Sequence, residues 1–312
     1  MAKKKIPGSG SSAANAKPHF RESSVDKSFY VIVFVFLLLC ALIVAVPILN
    51  VISQSLSSPQ AVIAGRVSII PVDFTWDAYK NVFEDEQILL GYWNSIVYTV
   101  VGTLINIAMT VILAYPLSRG DFKGRGIITA LFVFTMVFTA PLIPTYLTVK
   151  SYHLLDTIWA IVLPGAISVY NMIIARTFFS SSIPDEMIEA AELDGANDLQ
   201  ILWKLVLPLS KAVLAVLVLY YAVAHWNTYF QPMIYLSSNE KFPLQLILRN
   251  ILNNAAAVES MATASADETS KLALVETLKY AIIVVGSLPV ILLYPFVQKY
   301  FVKGVMIGSV KG

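Results

Sequence analysis

The sequence has few charged residues, one cysteine and three histidines, and each scarcity excludes a class of protein. Charged residues make up 13% of the 312 residues and apolar residues 57%, with a mean hydropathy of +0.71, so the chain is not a soluble domain. A net charge of +2 gives no footprint for nucleic acid. Cys40 cannot form an intramolecular disulfide, and His19, His153 and His225 lack metal-ligand spacing. We expect a polytopic membrane protein without a metal site.

Motifs for nucleotide hydrolysis and for acid–base catalysis are also missing. No Gly-x-x-x-x-Gly-Lys-Ser/Thr occurs, and Gly8-Ser9-Gly10 lacks both the lysine and the strand–turn–helix setting of a phosphate loop. The sequence offers no paired carboxylates and no nucleophile–base set placed for catalysis. We therefore predict that the chain is not an enzyme, has no catalytic residue and binds no cofactor, so that energy must come from a partner.

Apolar segments long enough to cross about 30 Å of hydrocarbon recur along the chain. Six spans are predicted, at about 29–52, 92–118, 127–147, 157–175, 210–236 and 279–301. The first is expected to be retained, because no small-residue cleavage site of a secretory signal follows it. Before it, residues 1–28 are expected to form a polar tail. The predicted fold class is an all-α polytopic membrane protein, with a transmembrane domain over 29–312.

The distribution of lysine and arginine predicts the orientation of these spans. Most of the 22 basic residues fall on the cytoplasmic side if the N-terminus lies inside, as the positive-inside rule requires. With six spans, both termini are then cytoplasmic. The polar loop after the fourth span is cytoplasmic as well.

That polar loop, residues 180–209, is an acid-rich island between two apolar segments. Acidic residues crowd the start of its first helix, where the helix dipole favours negative charge. Gly195 is placed to end this helix by turning the chain left-handed. Asn197 or Asp198 can cap a second helix, which Pro208 would end. The loop therefore predicts two short helices joined by a turn, outside the hydrocarbon.

This loop resembles the EAA loop of the permease subunits of ABC importers. The matching residues are Glu189-Ala190-Ala191, Asp194-Gly195-Ala196 and Leu207-Pro208. The resemblance implies a cytoplasmic coupling element that docks in a groove of an ATPase. Glu189 would make a charge-assisted contact with a basic residue of that ATPase, Ala190 and Ala191 would allow close approach, and Gly195 would make the turn. The alternative is an amphipathic hairpin lying on the membrane surface.

The resemblance extends along most of the chain to MalG-type subunits of sugar importers. Its motifs are Asn94-Ser95, Tyr170-Asn171, His225-Trp226-Asn227-Thr228-Tyr229-Phe230 and the tail from Tyr294 to Gly304. Ser57-Ser58-Pro59 and Phe74-Thr75-Trp76-Asp77-Ala78-Tyr79 resemble the LplC-like members, which tend to serve complex oligosaccharides. The family implies a type I importer permease in the bacterial inner membrane. Its partners would be a second permease subunit, two ATPase subunits that carry ATP and Mg²⁺, and a solute-binding protein.

The predicted spans contain no Asp, Glu or Arg, which argues against a proton- or sodium-driven mechanism. The neutral polar and aromatic side chains that remain suit an uncharged, hydroxylated solute such as a sugar. Candidates for the substrate path are Asn171, His225, Trp226, Asn227, Tyr229 and Gln231. Because Tyr221, His225 and Tyr229 are spaced by four, we expect them on one helix face. The alternative for each residue is a contact between helices, such as a hydrogen bond from a buried neutral His225.

Three prolines and one long loop are further candidates for function. Pro141 and Pro144 in the third span and Pro232 in the fifth are candidate gate hinges, or simple packing kinks. The outer loop 237–278 is polar in its middle and is expected to be a functional surface loop or disordered. In the resembled family the corresponding loop reaches into the solute-binding protein.

Together these observations predict the transmembrane subunit of an ATP-driven importer for an oligosaccharide or polysaccharide fragment. Two other hypotheses stay open at this point. One is an ABC permease for an amino acid, a peptide or phosphate. The other is a membrane scaffold protein without a solute path.

Overall fold

The computed structural model describes residues 24–261, 276–295 and 298, and every regular element among them is helical. The all-α prediction is confirmed for this part of the chain. The helices are α1 (Ser24–Ser55), α2 (Pro59–Ile63), α3 (Asp77–Glu84), α4 (Glu86–Ser118), α5 (Arg125–Val137), α6 (Leu142–Ser151), α7 (Trp159–Val162), α8 (Val169–Ser182), α9 (Asp185–Leu193), α10 (Asp198–Leu209), α11 (Lys211–Trp226), α12 (Phe230–Tyr235), α13 (Leu244–Met261) and α14 (Glu276–Pro295).

Three of the described helices, α1, α4 and α14, are long and apolar enough to cross a membrane. Two further pairs are bent, α5 with α6 by 114° and α10 with α11 by 83°, and counting each pair as one span gives up to five. The predicted number of six spans is therefore not confirmed. The sixth predicted span, 279–301, extends past α14 into residues outside the described part. Most of the predicted tail, 1–28, lies outside the described part as well.

The fourth predicted span, 157–175, is not a single helix. It comprises α7 and the first half of α8, and residues 163–168 between them are not helical. Pro164 and Gly165 lie at this break. Proline lacks an N–H to continue a helix, and glycine loses the most conformational freedom within one. The apolar composition of the segment conceals the break, because hydropathy does not register backbone preferences.

The fifth predicted span, 210–236, is also interrupted. α11 ends at Trp226, where both the backbone N–H and the side-chain amide of Asn227 bond to the carbonyl of Val223, at 3.1 and 2.9 Å. The side chain thus shares the acceptor of its own backbone N–H, a local bond typical of asparagine where a helix ends. Tyr229 lies beyond the helix end, so the expectation that it shares a face with Tyr221 and His225 is wrong.

The three candidate hinge prolines all lie at helix starts. Pro141 immediately precedes α6, and Pro144 and Pro232 are the third residues of α6 and α12. The first N–H groups of a helix have no intrahelical partner, so proline costs little at these positions. The 114° bend coincides with the break between Val137 and Leu142.

A helix occupies much of the outer loop predicted over 237–278. α13 buries Leu244 and Ile247 in a cluster with α3, the start of α4, and α14. The spacing of Leu244, Ile247 and Ile251 by three and four residues is helical, so the disordered alternative does not hold over 244–261. Residues 262–275 lie outside the described part of the chain.

The chain divides into two units, Met1–Leu49 and Asn50–Gly312. The described part of the first unit belongs to α1. In the second unit α4 is the central helix, packing chiefly on α8 and α11 along its length and on α13 near its start. Because one apolar core surrounds the end of α4 and another surrounds its start, this helix connects the two ends of the unit.

Candidate functional site

The loop predicted over 180–209 forms a helical hairpin of α9 and α10, which we call the coupling hairpin. α9 begins after Pro184 with acidic residues in its first turn. It ends at Leu193, and the chain then turns at Gly195, whose φ is +81° and whose N–H donates to the carbonyl of Glu192 at 2.9 Å. The N–H of Ala196 donates to the carbonyl of Ala191 at 3.0 Å, which completes a Schellman motif. The predicted left-handed turn at Gly195 is confirmed.

The second helix of the hairpin is capped by Asn197. The N–H of Gln200 donates to Oδ1 of Asn197 at 2.9 Å, and the N–H of Asn197 donates to Oε1 of Gln200 at 3.1 Å, the reciprocal pair of a capping box. Pro208 does not end the helix, which continues to Leu209. A π-helical turn, Leu202–Val206, precedes the proline. Its hydrogen bonds join residues five positions apart, which accommodates the missing backbone N–H of Pro208.

One face of the coupling hairpin is built into the core. Ile188 of α9 and Ile201 and Val206 of α10 are almost fully buried, in one cluster with residues of α4, α8 and α11. Packed interiors have little empty space and transmit displacement instead of absorbing it. The hairpin is therefore fixed mechanically to the helices that follow and precede it.

The opposite face is exposed and combines acidic with apolar side chains. Of the predicted coupling residues, Glu189, Ala190, Asp194, Gly195 and Pro208 are exposed, and Ala191 and Ala196 are half-buried. Five large apolar side chains of the hairpin are also exposed, namely Met187, Leu193, Leu199, Trp203 and Leu209. Leu193 is 89% exposed, the largest value for a large hydrophobic residue in the described part of the chain. Exposed apolar groups gathered in this way mark a surface for interaction.

A polar network connects α4, α11 and the break in the fourth predicted span. Nε2 of His225 donates to Oδ1 of Asn106 at 2.6 Å, and Nδ2 of Asn106 donates to the carbonyl of Gly165 at 2.7 Å. A turn of helix away, Oη of Tyr221 bonds to Oγ1 of Thr110 at 2.7 Å. The same Oη accepts from the N–H of Ser168 at 3.3 Å. The network satisfies backbone groups that the broken helix leaves free, as a membrane requires.

Of the six predicted substrate-path residues, two are buried and four are half-buried or exposed. Asn171 and Trp226 are buried within the chain, and the indole of Trp226 donates to the carbonyl of Gly286 at 2.8 Å and meets the ring of Tyr92 edge-on. These two side chains contact neighbouring helices of the chain, and their assignment to the path stays a prediction. His225 is half-buried and bonded to a neighbouring helix, as its alternative predicted. Asn227 and Tyr229 are exposed, and Gln231 is half-buried.

The side chain of Arg249 lies beside Tyr229, one of the exposed residues. The guanidinium of Arg249, on α13, stacks over the ring of Tyr229 at 5.4 Å from the ring centre, a cation–π contact. Among the described residues Arg249 has no acidic partner within ion-pair distance. Sequence reasoning missed it, because the helix that carries it was assigned to a loop outside the spans.

A cluster of charged and polar groups joins the turn before α7 to the segment after α12. The carboxylate of Asp156 accepts from Nζ of Lys241 at 2.6 Å and from the hydroxyl of Ser238 at 2.7 Å. The backbone N–H groups of Ser237 and Ser238 each donate to it at 3.0 Å. The Lys241 ammonium, followed by the hydroxyl and the two N–H groups, holds the pKa of Asp156 well below its usual range.

Similarity to known proteins identifies the family of this chain. A family model described as "Binding-protein-dependent transport system inner membrane component" matches residues 88–307, which include both the coupling hairpin and the polar network. The chain belongs to this family. It is thus an inner-membrane component of a binding-protein-dependent ABC transport system, a class of protein that is not itself an enzyme. Membership implies ATPase and solute-binding partners.

Individual members of the family are similar over nearly the whole chain. The polygalacturonan/rhamnogalacturonan transport system permease protein YtcP of Bacillus subtilis is 40% identical, over 92% of this chain and 99% of its own. Protein LplC of the same organism is 41% identical, over 86% and 90%. A chain in the crystal structure of a bacterial ABC transporter that imports the acidic polysaccharide alginate is 38% identical. It superposes with a TM-score of 0.80 and covers 90% of this chain and 99% of that one. The family resemblance seen in the motifs is confirmed.

Proposed function

We propose that this chain is the transmembrane subunit of an ATP-driven importer that moves fragments of an acidic polysaccharide into the cytoplasm. The observation that carries the proposal is the coupling hairpin. Its buried face continues the core of the transmembrane helices, and its exposed face presents Glu189 and Leu193 to a partner. Because one face of the hairpin packs on the transmembrane helices and the other is free to contact an ATPase, the hairpin can transmit movement from the ATPase to these helices.

The proposed assembly contains four kinds of component. This chain pairs with a second permease subunit to enclose the path, two ATPase subunits bind ATP and Mg²⁺ below, and a solute-binding protein delivers the fragment from outside. ATP closes the ATPase pair, the coupling hairpins move, and the spans switch from inward- to outward-facing. The two states of the spans must differ in affinity for the ATPase conformations, because otherwise ATP could not drive the switch.

Within this assembly the substrate path runs past the exposed residues near the end of α11. Tyr229 offers a ring face on which the C–H groups of a sugar can stack, and Asn227 and Gln231 offer neutral hydrogen-bonding groups. Arg249 adds a fixed guanidinium, whose geometry matches a carboxylate. This combination suits a uronate sugar better than the uncharged solute expected from the spans alone. The relatives named for polygalacturonan and for alginate support the same class.

Reversal of charge and removal of the turn test the coupling assignment. In proteoliposomes that contain the complete transporter, Glu189→Lys and Gly195→Leu should insert and assemble yet hydrolyse ATP without uptake, because the docking contact or the hairpin angle is lost. Glu84→Lys makes the same charge reversal on an exposed residue of α3 and should keep uptake. Uptake at the parental rate by both hairpin variants would show that the docking assignment is wrong.

Substrate class separates the remaining alternatives. The reconstituted transporter should take up oligogalacturonate in an ATP-dependent manner and should leave amino acids, peptides and phosphate outside. Uptake of one of these instead would favour a permease for another solute. If the chain purifies without an ATPase, and no saccharide stimulates ATP turnover, it is a scaffold without a solute path.

A further inference from the structure

Arg119, the first residue after α4, lies between that helix and the coupling hairpin. Its Nη2 donates to Oε1 of Glu192 on α9 at 3.2 Å, and its Nε lies 3.4 Å from Oδ1 of Asp121. Only 13% of its side chain is exposed, against 47% of that of Glu192. The guanidinium is therefore a largely buried charge that reaches from the end of α4 to the hairpin.

The end of α4 is held to two other helices by arginines as well. Nε of Arg176, on α8, donates to the carbonyl of Leu117 at 2.9 Å. Nη1 of Arg125, at the start of α5, donates to the carbonyl of Arg119 at 2.9 Å. Cations at a helix C-terminus satisfy its free carbonyls and complement its dipole. Arg119 differs from these two arginines because its side chain is directed away from α4, to a carboxylate on the hairpin.

The hairpin is less tightly packed beside this ion pair. A groove of about 560 Å³ is lined by Asp198 and Leu199 of α10 on one side and by the turn that contains Arg119 and Phe122 on the other. The apolar core holds the hairpin elsewhere, through Ile188 and its neighbours. Next to the groove, Arg119 adds a polar contact between α9 and the end of α4 to this apolar packing.

One atom of this arginine argues that the contact is not there for stability alone. Nη1 of Arg119 is buried and has no hydrogen-bond partner among the described residues. A buried, unpaired donor costs free energy, and a largely buried ion pair is often no more stable than an apolar replacement. Departures of this kind concentrate at functional positions.

We propose that Arg119 is a positioning residue for energy coupling. It fixes the angle between α9 and α4 through Glu192, so that a displacement of the coupling hairpin reaches α4 and, about three and a half turns along it, the network around Asn106. The proposal rests on the proposed function, since it presupposes an ATPase docked on the hairpin. It adds a residue outside the matched Glu-Ala-Ala and Asp-Gly-Ala motifs.

Removal of charge from either partner tests it in the complete transporter. Glu192→Gln, Arg119→Gln and the double variant are reconstituted with the ATPase and the solute-binding protein, and uptake per ATP hydrolysed is measured. We expect each single variant to lower this ratio about two- to thirtyfold, the range for residues within a coupling network. Because both act through one contact, the double variant should match the worse single variant. Asp73→Asn removes an exposed ion pair with Arg66 and should leave the ratio unchanged.

The outcomes separate a positioning role from a structural one. Melting temperature and recovery of the ATPase on purification are followed in parallel, and Glu192 is exposed enough to remain testable if Arg119→Gln does not fold. A lower melting temperature with a parental ratio in Glu192→Gln would overturn the proposal, as would additive effects in the double variant. If the parental complex shows no saccharide-stimulated ATP turnover, it is the proposed function that fails.

Discussion

The close approach of α4 and α11 at Gly102 provides a direct test of the packing. A Cβ built on Gly102 would collide with the imidazole of His225, with Nε2, Cε1 and Cδ2 all inside normal contact distance. Nε2 is the atom that donates to Asn106 at 2.6 Å. Gly102→Ala must therefore displace the ring and lengthen or break this bond, unless the two helices move apart.

The magnitude follows from three effects. Overpacking a close-packed site costs about 1–3 kcal/mol, and an unsatisfied Asn106 oxygen in a buried site adds about 1–3 kcal/mol. Alanine is favoured over glycine in a helix interior by about 1 kcal/mol, which offsets part of this. We expect the free energy of unfolding to fall by about 1–5 kcal/mol, since the steric and polar costs exceed the helical gain.

The assay compares this substitution with the same substitution in open space. Gly126, the second residue of α5, has no atom within 4 Å of an added Cβ, so Gly126→Ala should be neutral or stabilising by up to about 1 kcal/mol. The purified full-length subunit is unfolded in mixed micelles by rising dodecyl sulfate, and circular dichroism follows the loss of helix. Equal stability of the two variants would refute the reasoning, because it would mean that α4 and α11 do not touch here.

Two further predictions concern Asp156 and Arg249. The folded pKa of Asp156 lies below its unfolded value, so the stability that this carboxylate contributes is present above the unfolded pKa and is lost as the pH falls toward the folded one. Asp156→Asn keeps a residue suited to φ of +58°. This variant should have a lower melting temperature at pH 7 and a smaller decline of melting temperature in acid. A parental melting curve in that variant would contradict the cluster with Lys241. Arg249→Gln should reduce uptake of oligogalacturonate at least about tenfold by removing a charge-assisted hydrogen bond, whereas Lys150→Gln, on an exposed lysine, should not; an equal loss in both would assign the effect to general charge.

The sequence by itself determined the features that depend on neighbours along the chain. The helical class follows from apolar runs, and the turn at Gly195 and the cap at Asn197 follow from residues within a few positions of each other. These are local effects of backbone preference and hydrogen bonding, so a short window of sequence contains their cause. The coupling loop was recognisable for the same reason.

Tertiary structure decided the contacts between distant residues. His225 meets Asn106 across 119 positions and Arg119 meets Glu192 across 73, and no local pattern distinguishes these side chains from others of their type. The break at Pro164 was concealed within an apolar run, because hydropathy measures the cost of exposure to water and not the ability to stay helical. Which polar groups face the path and which hold helices together depends on packing, which the folded chain alone specifies.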